Sequence, residues 1–174
     1  RSLAIIEKNN GPDHPDAARC LSYLANIYLR QNMNMEAVSA LKRGISITEK
    51  AKGPAHIELA AMLNDLAVVY DGMHKLIELE PLLKRSLAIY EINLGPEHDE
   101  IAKSLNNLAS LNCRMGRFGA AEPLFKRALS ICEKSKSPDD PARHSLLLNI
   151  AQMYRMMDRP MEADYYTHRA AAIR

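Results

Sequence analysis

Apolar residues recur along this chain at helical spacing, and the spacing itself recurs. Ile101, Leu105, Leu108 and Ala109 fall at i, i+4, i+7 and i+8, with Asn112 closing the row at i+11. The same row reads Ala17, Leu21, Leu24, Ala25, Tyr28 earlier in the chain, then Leu59, Leu63, Leu66, Ala67, Tyr70, and later Arg143, Leu147, Ile150, Ala151, Tyr154. A second pattern follows: Ala121, Leu124, Phe125, Ala128, Ile131 and Cys132, repeated as Ala37, Ala40, Leu41, Gly44 and Ile47. Each pattern predicts a helix of roughly 16 residues, about 24 Å long at 1.5 Å per residue. Turn sequences such as Gln31-Asn32-Met33-Asn34 and Met115-Gly116-Arg117 separate the two, so the pairs read as helix hairpins. Ala25, Ala67, Ala109 and Ala151 share one column, where a small side chain lets a partner helix approach closely.

Gly-Pro stands at Gly11-Pro12, Gly53-Pro54 and Gly95-Pro96, and Ser137-Pro138 occupies the place of a fourth, each step being 42 residues. Self-similarity at a fixed period of this size predicts stacked repeats rather than one globular core. The expected fold is all-α: a right-handed solenoid, or superhelix, of stacked antiparallel hairpins. Its expected parts are the tail of a preceding second helix at 1–10 and units at 11–52, 53–94, 95–136 and 137–174, the last shorter, all in one continuous domain. Gly suits a left-handed residue after a helix end, and the Pro that follows prevents the helix from continuing. Pro81 and Pro123 are expected early in second helices, where the first N–H groups have no intrahelical acceptor. Arg1-Ser2-Leu3-Ala4-Ile5 reads like Arg85-Ser86-Leu87-Ala88-Ile89, which lies late in a unit, so the sequence is expected to be a piece of a longer protein.

Composition narrows the picture further. Hydrophobic residues make up 47% of the 174 positions but aromatics only 5%, with no Trp, so small and aliphatic side chains must do the packing. The net charge of +2 argues against nucleic acid as a partner, which normally demands a concentrated basic face. Cys20, Cys113 and Cys132 are widely spaced and odd in number, which argues against a disulfide framework and for a reducing, cytoplasmic setting. No apolar run approaches the length of a membrane span.

Leu105-Asn106-Asn107-Leu108-Ala109, followed by Ala121-Glu122-Pro123-Leu124-Phe125-Lys126-Arg127-Ala128-Leu129, closely resembles the tetratricopeptide repeats of kinesin light chains. The 42-residue spacing and the turn from Gly95 to His98 strengthen the match. The second unit departs from it at Asp71-Gly72-Met73-His74-Lys75-Leu76 and at Leu79; the fourth departs at Ser137-Pro138-Asp139-Asp140 and Thr167. The resemblance implies a non-catalytic adaptor whose first helices line a concave, peptide-binding surface. It also implies a taste for acidic peptides with an aromatic anchor.

At 100° per residue, Lys103, Asn107, Ser110 and Arg114 lie opposite the packed row of their helix. The equivalent sets are Arg19, Tyr23, Asn26, Arg30; Ala61, Asp65, Val68, Gly72; and Ser145, Asn149, Gln152, Met156. A solvated polar face is the plain reading of these columns; a peptide-reading groove is the one that the resemblance implies. Asn64 and Asn106 match the first Asn of the family's Leu-Asn-x-Leu-Ala motif, on the groove's shoulder. Asn and Gln both donate and accept, and so hold a peptide backbone without reading its side chains. Arg19, Arg30, Lys103 and Arg114, with Arg155 nearby, flank the acidic Asp65 and Asp71, which points to an acidic ligand held in a bipartite or selective site.

Other recurring residues read as structural. His14, His56 and His98 repeat in the Gly-Pro turns, roughly 10–20 Å apart if helices pack at 9–10 Å, too far to share one metal ion; helix-start contacts are the expectation. His56-Ile57-Glu58 and His98-Asp99-Glu100 lack the Cys-x-x-Cys of a zinc deaminase. The pairs Lys42-Arg43, Lys84-Arg85 and Lys126-Arg127, ending in His168-Arg169, read as a solubilising ladder whose arginines pair with nearby Glu. Cys113, beside Arg114, has no adjacent His base and reads as an idle thiol. No cofactor, metal or catalytic group is expected. The alternative role is structural: self-association through the last helix, where Tyr165, Tyr166, Ala170, Ala171, Ala172 and Ile173 cluster, within a larger multidomain signalling protein.

Overall fold

The computed structural model describes residues 2–135 and 141–173, without the side chains of Ser2 and Ser135. Ser137-Pro138-Asp139-Asp140, the expected fourth turn, lies outside the described residues. Among those described, the chain is all helical: α1 Ser2–Asn10, α2 Pro15–Arg30, α3 Asn34–Lys52, α4 Ile57–Gly72, α5 Leu76–Leu94, α6 Asp99–Arg114, α7 Phe118–Ser135, α8 Pro141–Met156 and α9 Pro160–Ala171. They form two compact units, Arg1–Asn93 holding α1 to α5 and Leu94–Arg174 holding α6 to α9. Within each, antiparallel hairpins stack: α2 with α3 and then α4, and α6 with α7 and then α8, which pairs with α9. No described helix is long and apolar enough to cross a membrane.

The same three local devices delimit the helices of successive hairpins. Gly11, Gly53 and Gly95 take φ of 91°, 88° and 81°, a region closed to most side chains, and so stop the preceding helix. Three residues on, the histidine starts the next one. Nδ1 of His14, His56 and His98 accepts the backbone N–H of Asp16, Glu58 and Glu100 at 3.2, 3.3 and 3.2 Å. Each ring thus satisfies one of the orphan donors of a helix N-terminus, as the expected helix-start contact requires. At the hairpin tips, Asn32, His74, Gly116 and Asp158 all have φ between 56° and 72°, again one column. The N–H after each donates back five residues, Met33 to Tyr28, Lys75 to Tyr70, Arg117 to Asn112 and Arg159 to Tyr154, at 2.8–2.9 Å. This is the Schellman closure of a helix end. The α4–α5 hairpin makes it with His74, one of the few non-Gly residues enriched in the left-handed region. Replacing His56 by Ala should cost about 1 kcal/mol of stability, the usual cost of a lost cap, and Asn in its place should recover most of it; thermal melts of the two variants measure this.

The predicted rows are the packed ones. Ala25, Ala67, Ala109 and Ala151 are buried together with Leu21, Leu63, Leu105 and Leu147. Leu24 and Tyr28 are only half-buried, because α2 packs on α1 alone at its leading side, whereas Leu66 and Ile150 are sealed by a preceding first helix. Buried Asn112 stands where other units place Tyr, and it donates Nδ2 to the carbonyl of Leu108 at 2.8 Å, so its buried amide nitrogen has an acceptor. Pro81 and Pro123 sit deeper than expected. Each is the sixth residue of its helix and therefore deprives the carbonyl of an exposed residue, Ile77 or Gly119, of its intrahelical donor.

The arginine ladder pairs as expected. Arg43 reaches Glu7 at 2.6 Å and the carbonyl of Pro12 at 2.9 Å. Arg85 repeats both contacts on Glu49 and the Pro54 carbonyl, and Arg169 pairs with Glu133. Arg43 and Arg85 each tie a second helix to the helix and turn one repeat earlier, and Arg169 ties α9 to α7. The lysines are occupied too: Lys84 with Glu80 and Lys126 with Glu122, at 2.7 and 2.6 Å.

Candidate functional site

The outward columns of the first helices are the exposed ones. Arg19, Tyr23, Asn26 and Arg30 on α2 face solvent, as do Ala61, Val68 and Gly72 on α4, with Asp65 half-buried between them. On α6, Lys103, Asn107 and Arg114 are exposed and Ser110 half-buried; on α8, Ser145, Gln152 and Met156 are exposed and Asn149 half-buried. Several of these charges already have partners on their own helix. Arg19 bonds Asp16, and Lys103 bonds Glu100 at 2.6 Å. Exposed pairs of this type contribute 0–1 kcal/mol, so a ligand carboxylate displaces them at little cost.

In the second unit these columns converge on a hollow between α6 and α8. Its volume is about 280 Å³, its floor is Ala102, Leu146 and Cys132, and its rim carries Asp99, Lys103, Asn106, Asn107, Ala142 and Ser145. Small-molecule pockets typically measure about 300–1,000 Å³; this space suits one or two side chains of a larger ligand. Beside it, Asn149 donates Nδ2 to Oδ1 of Asn106 at 2.9 Å. Held by that bond, the two amides still present Nδ2 hydrogens on Asn106 and an Oδ1 acceptor on Asn149, the complement of a peptide unit. The floor residues lie next to the outward columns rather than on them, and the column Ala18, Ala60, Ala102 is the sequence trace of the shallow wall.

In the first unit the corresponding surface is more apolar and less saturated. Tyr23, Ile27 and Val68 are exposed at 71%, 50% and 63%. Oδ1 of Asn64 and Oγ of Ser22 are buried without a hydrogen-bond partner. Burial alone pushes the carboxyl of Asp65 above its ordinary range.

A second concentration of polar groups lies at the α8–α9 hairpin. Tyr154 donates to Glu122 at 2.9 Å, Glu122 also takes Lys126, and the Arg159 guanidinium sits 4.8 Å from the Tyr154 ring centroid. The lysine first, then the phenol, hold Glu122 below the usual carboxylate range, while burial and that carboxylate push the Tyr154 phenol well up. The groups satisfy one another and join α7, α8 and α9. Burial pushes the Cys113 thiol up and keeps it protonated, in line with the idle reading. No group of three His, Cys, Asp or Glu able to hold a metal occurs among the described residues.

Hairpins of fixed period, closed by the same cap and the same left-handed tip, define a helical-repeat protein whose variable columns face outward from its first helices. The chain belongs to the tetratricopeptide repeat family, whose profile matches residues 1–50, 58–134 and 100–174. Among solved structures it is similar to BtubC (BKLC) from P. vanneervenii, at 21% identity and TM-score 0.84, over 92% of this chain and 64% of that one. It is also similar to a kinesin-light-chain candidate of Podosopora anserina with nearly identical TPR-like repeats, at 25% identity and TM-score 0.84, over 98% of this chain and 81% of that one. MamA follows at 16% identity and TM-score 0.71, over 98% and 84% of the two chains. The Podosopora anserina structure bears out the kinesin-light-chain-like resemblance, and all three share the all-α repeat fold. No curated protein matches the sequence significantly.

Proposed function

We propose that this protein is a non-catalytic adaptor that holds an extended peptide segment of a partner along the outward columns of its first helices. The observation that supports this best is the Asn106–Asn149 amide pair at the edge of the α6–α8 hollow. An amide pair recognises backbone without demanding a sequence, and the hollow beside it accepts a side chain, which is how extended peptides are usually read. Lys103, Arg114 and Arg19 supply cations for acidic residues of the ligand; Tyr23, Asn26, Arg30, Asn64, Asp65, Asn107, Ser110 and Gln152 complete the surface. The units at 11–52, 53–94, 95–136 and 137–174 belong to the same reading, as does a cytoplasmic setting, which suits three free cysteines.

The test is affinity selection from a random nonapeptide library, with bound peptide quantified by mass spectrometry. Asn106→Ala with Asn149→Ala should lower recovery at least tenfold, equivalent to 1.4 kcal/mol, while helix content measured by circular dichroism is unchanged. Equal recovery by the double variant refutes the amide reading. Self-association is the second reading, favoured by Met161 and Tyr165, which stand exposed on α9; light scattering that shows a monomer at all concentrations removes it.

A further inference from the structure

Unit 2 shows how neighbouring first helices meet on the outward face. Asn106 and Asn149, which are 43 residues apart, close a hydrogen bond from α8 to α6. The same step from Ser22 on α2 leads to Asp65 on α4, and there the bond is missing. Oγ of Ser22 is buried with no hydrogen-bond partner. Asp65 is half-buried and, among the described residues, its carboxylate makes no hydrogen bond or ion pair. Arg19, the cation one turn before Tyr23, is occupied by Asp16. An ionised carboxylate half out of water with neither a counter-charge nor a donor is costly, and nothing inside the first unit offsets that cost. Tyr23, which holds the place of Asp65 one repeat earlier on α2, and Val68, three residues on along α4, are both exposed.

We infer that Ser22 and Asp65 form an open cation site, which takes an arginine or lysine side chain of the bound peptide. The carboxylate accepts the charged N–H groups, the Ser22 hydroxyl turns out of its buried position to accept one more, and the face of Tyr23 covers the cation. The site rests on the peptide-binding reading and deepens it: the ligand carries a basic residue over α2 and α4, besides any acidic residue over α6 and α8. Its cost is visible in the free protein. Burial raises the carboxyl of Asp65, so the folded state binds that proton more tightly than the unfolded state does. Ionisation at neutral pH therefore opposes folding. A residue kept for the fold would stabilise it; this one is stabilising only when its ligand is present.

The test uses N-acetyl-arginine methylamide as the probe, with the lysine and glutamate derivatives as parallel arms, followed by NMR on the isotope-labelled protein. The arginine probe should shift the amides of Ser22, Tyr23, Asp65 and Val68 with saturation in the millimolar range, the lysine probe should do so more weakly, and the glutamate probe should not. Asp65→Asn should weaken the arginine response at least tenfold and melt no lower than wild type. Equal responses to arginine and glutamate, or an unchanged response in Asp65→Asn, overturn the inference; so does a variant that melts below wild type, which would assign Asp65 to the fold. If the peptide library binds through Asn106 and Asn149 while the arginine probe leaves Asp65 unmoved, the cation site falls and the groove stands. If the probe saturates while the library does not bind, the groove falls and the cation site stands.

Discussion

Phe125→Ala should lower the unfolding free energy by roughly 3–5 kcal/mol. Phe125 lies on α7, is only 1% exposed and is the bulkiest of the fully buried side chains. Its column holds Leu41 and Leu83 in earlier units, so this unit has built its packing around a larger residue. Truncation removes the transfer free energy of a ring and leaves a cavity that Ala121 and Ala128, one turn away on the same face of α7, are too small to fill. Against a total stability of about 5–15 kcal/mol, the loss is a large fraction. Repeat proteins couple mainly to their nearest neighbours, so hydrogen exchange should rise most in α6 to α9 and least in α2. Denaturant titration gives the magnitude. A loss below about 1 kcal/mol would mean that the site collapses around the missing ring.

The second large effect comes from backbone conformation rather than packing. Gly53 sits at φ 88° and ψ 165°, a region that essentially only glycine occupies. A Cβ added there would meet nothing within 4 Å, so any cost of Gly53→Ala is conformational and not steric. That cost is about 1–3 kcal/mol, or several degrees in melting temperature at this chain length. Gly72 separates the two causes. It closes α4 with equally open space around it and no positive φ, so alanine there should raise stability, by up to about 1 kcal/mol of helix propensity. Opposite signs for two Gly→Ala changes, neither meeting a clash, locate the constraint in the Gly-Pro turn.

Much of the fold was legible because hydrophobic periodicity and turn chemistry agree in every unit. The rows led by Ala17, Leu59 and Ile101 needed only a 3.6-residue period, and Gly11, Gly53 and Gly95 needed only the rule that glycine tolerates positive φ. The depth of Pro81 and Pro123 was misjudged because helix starts are blurred by residues with no cap signature, such as Leu76 and Phe118. His74 as the left-handed tip was hidden by Gly72, the more obvious turn former, which instead finishes α4. The site was legible as columns but not as chemistry. Spacing places Asn149 on an outward column and Asn106 on its shoulder; it does not show that they bond each other, nor that Ser22 and Asp65 do not. Pairing depends on the offset between stacked helices, a distance that no single helix encodes. Charge misleads for the same reason: Arg19 and Lys103 look free in sequence, yet each is engaged by a carboxylate three residues away.

Amide chemical-shift mapping of the labelled protein with the peptides selected from the nonapeptide library tests the central claim most directly. The account predicts perturbations gathered on the outward columns of the first helices, at Asn107, Asn149 and Lys103 around the α6–α8 hollow and at Tyr23 and Asp65 on α2 and α4. Perturbations gathered instead on α3, α7 or the Tyr165–Met161 face of α9 would contradict it.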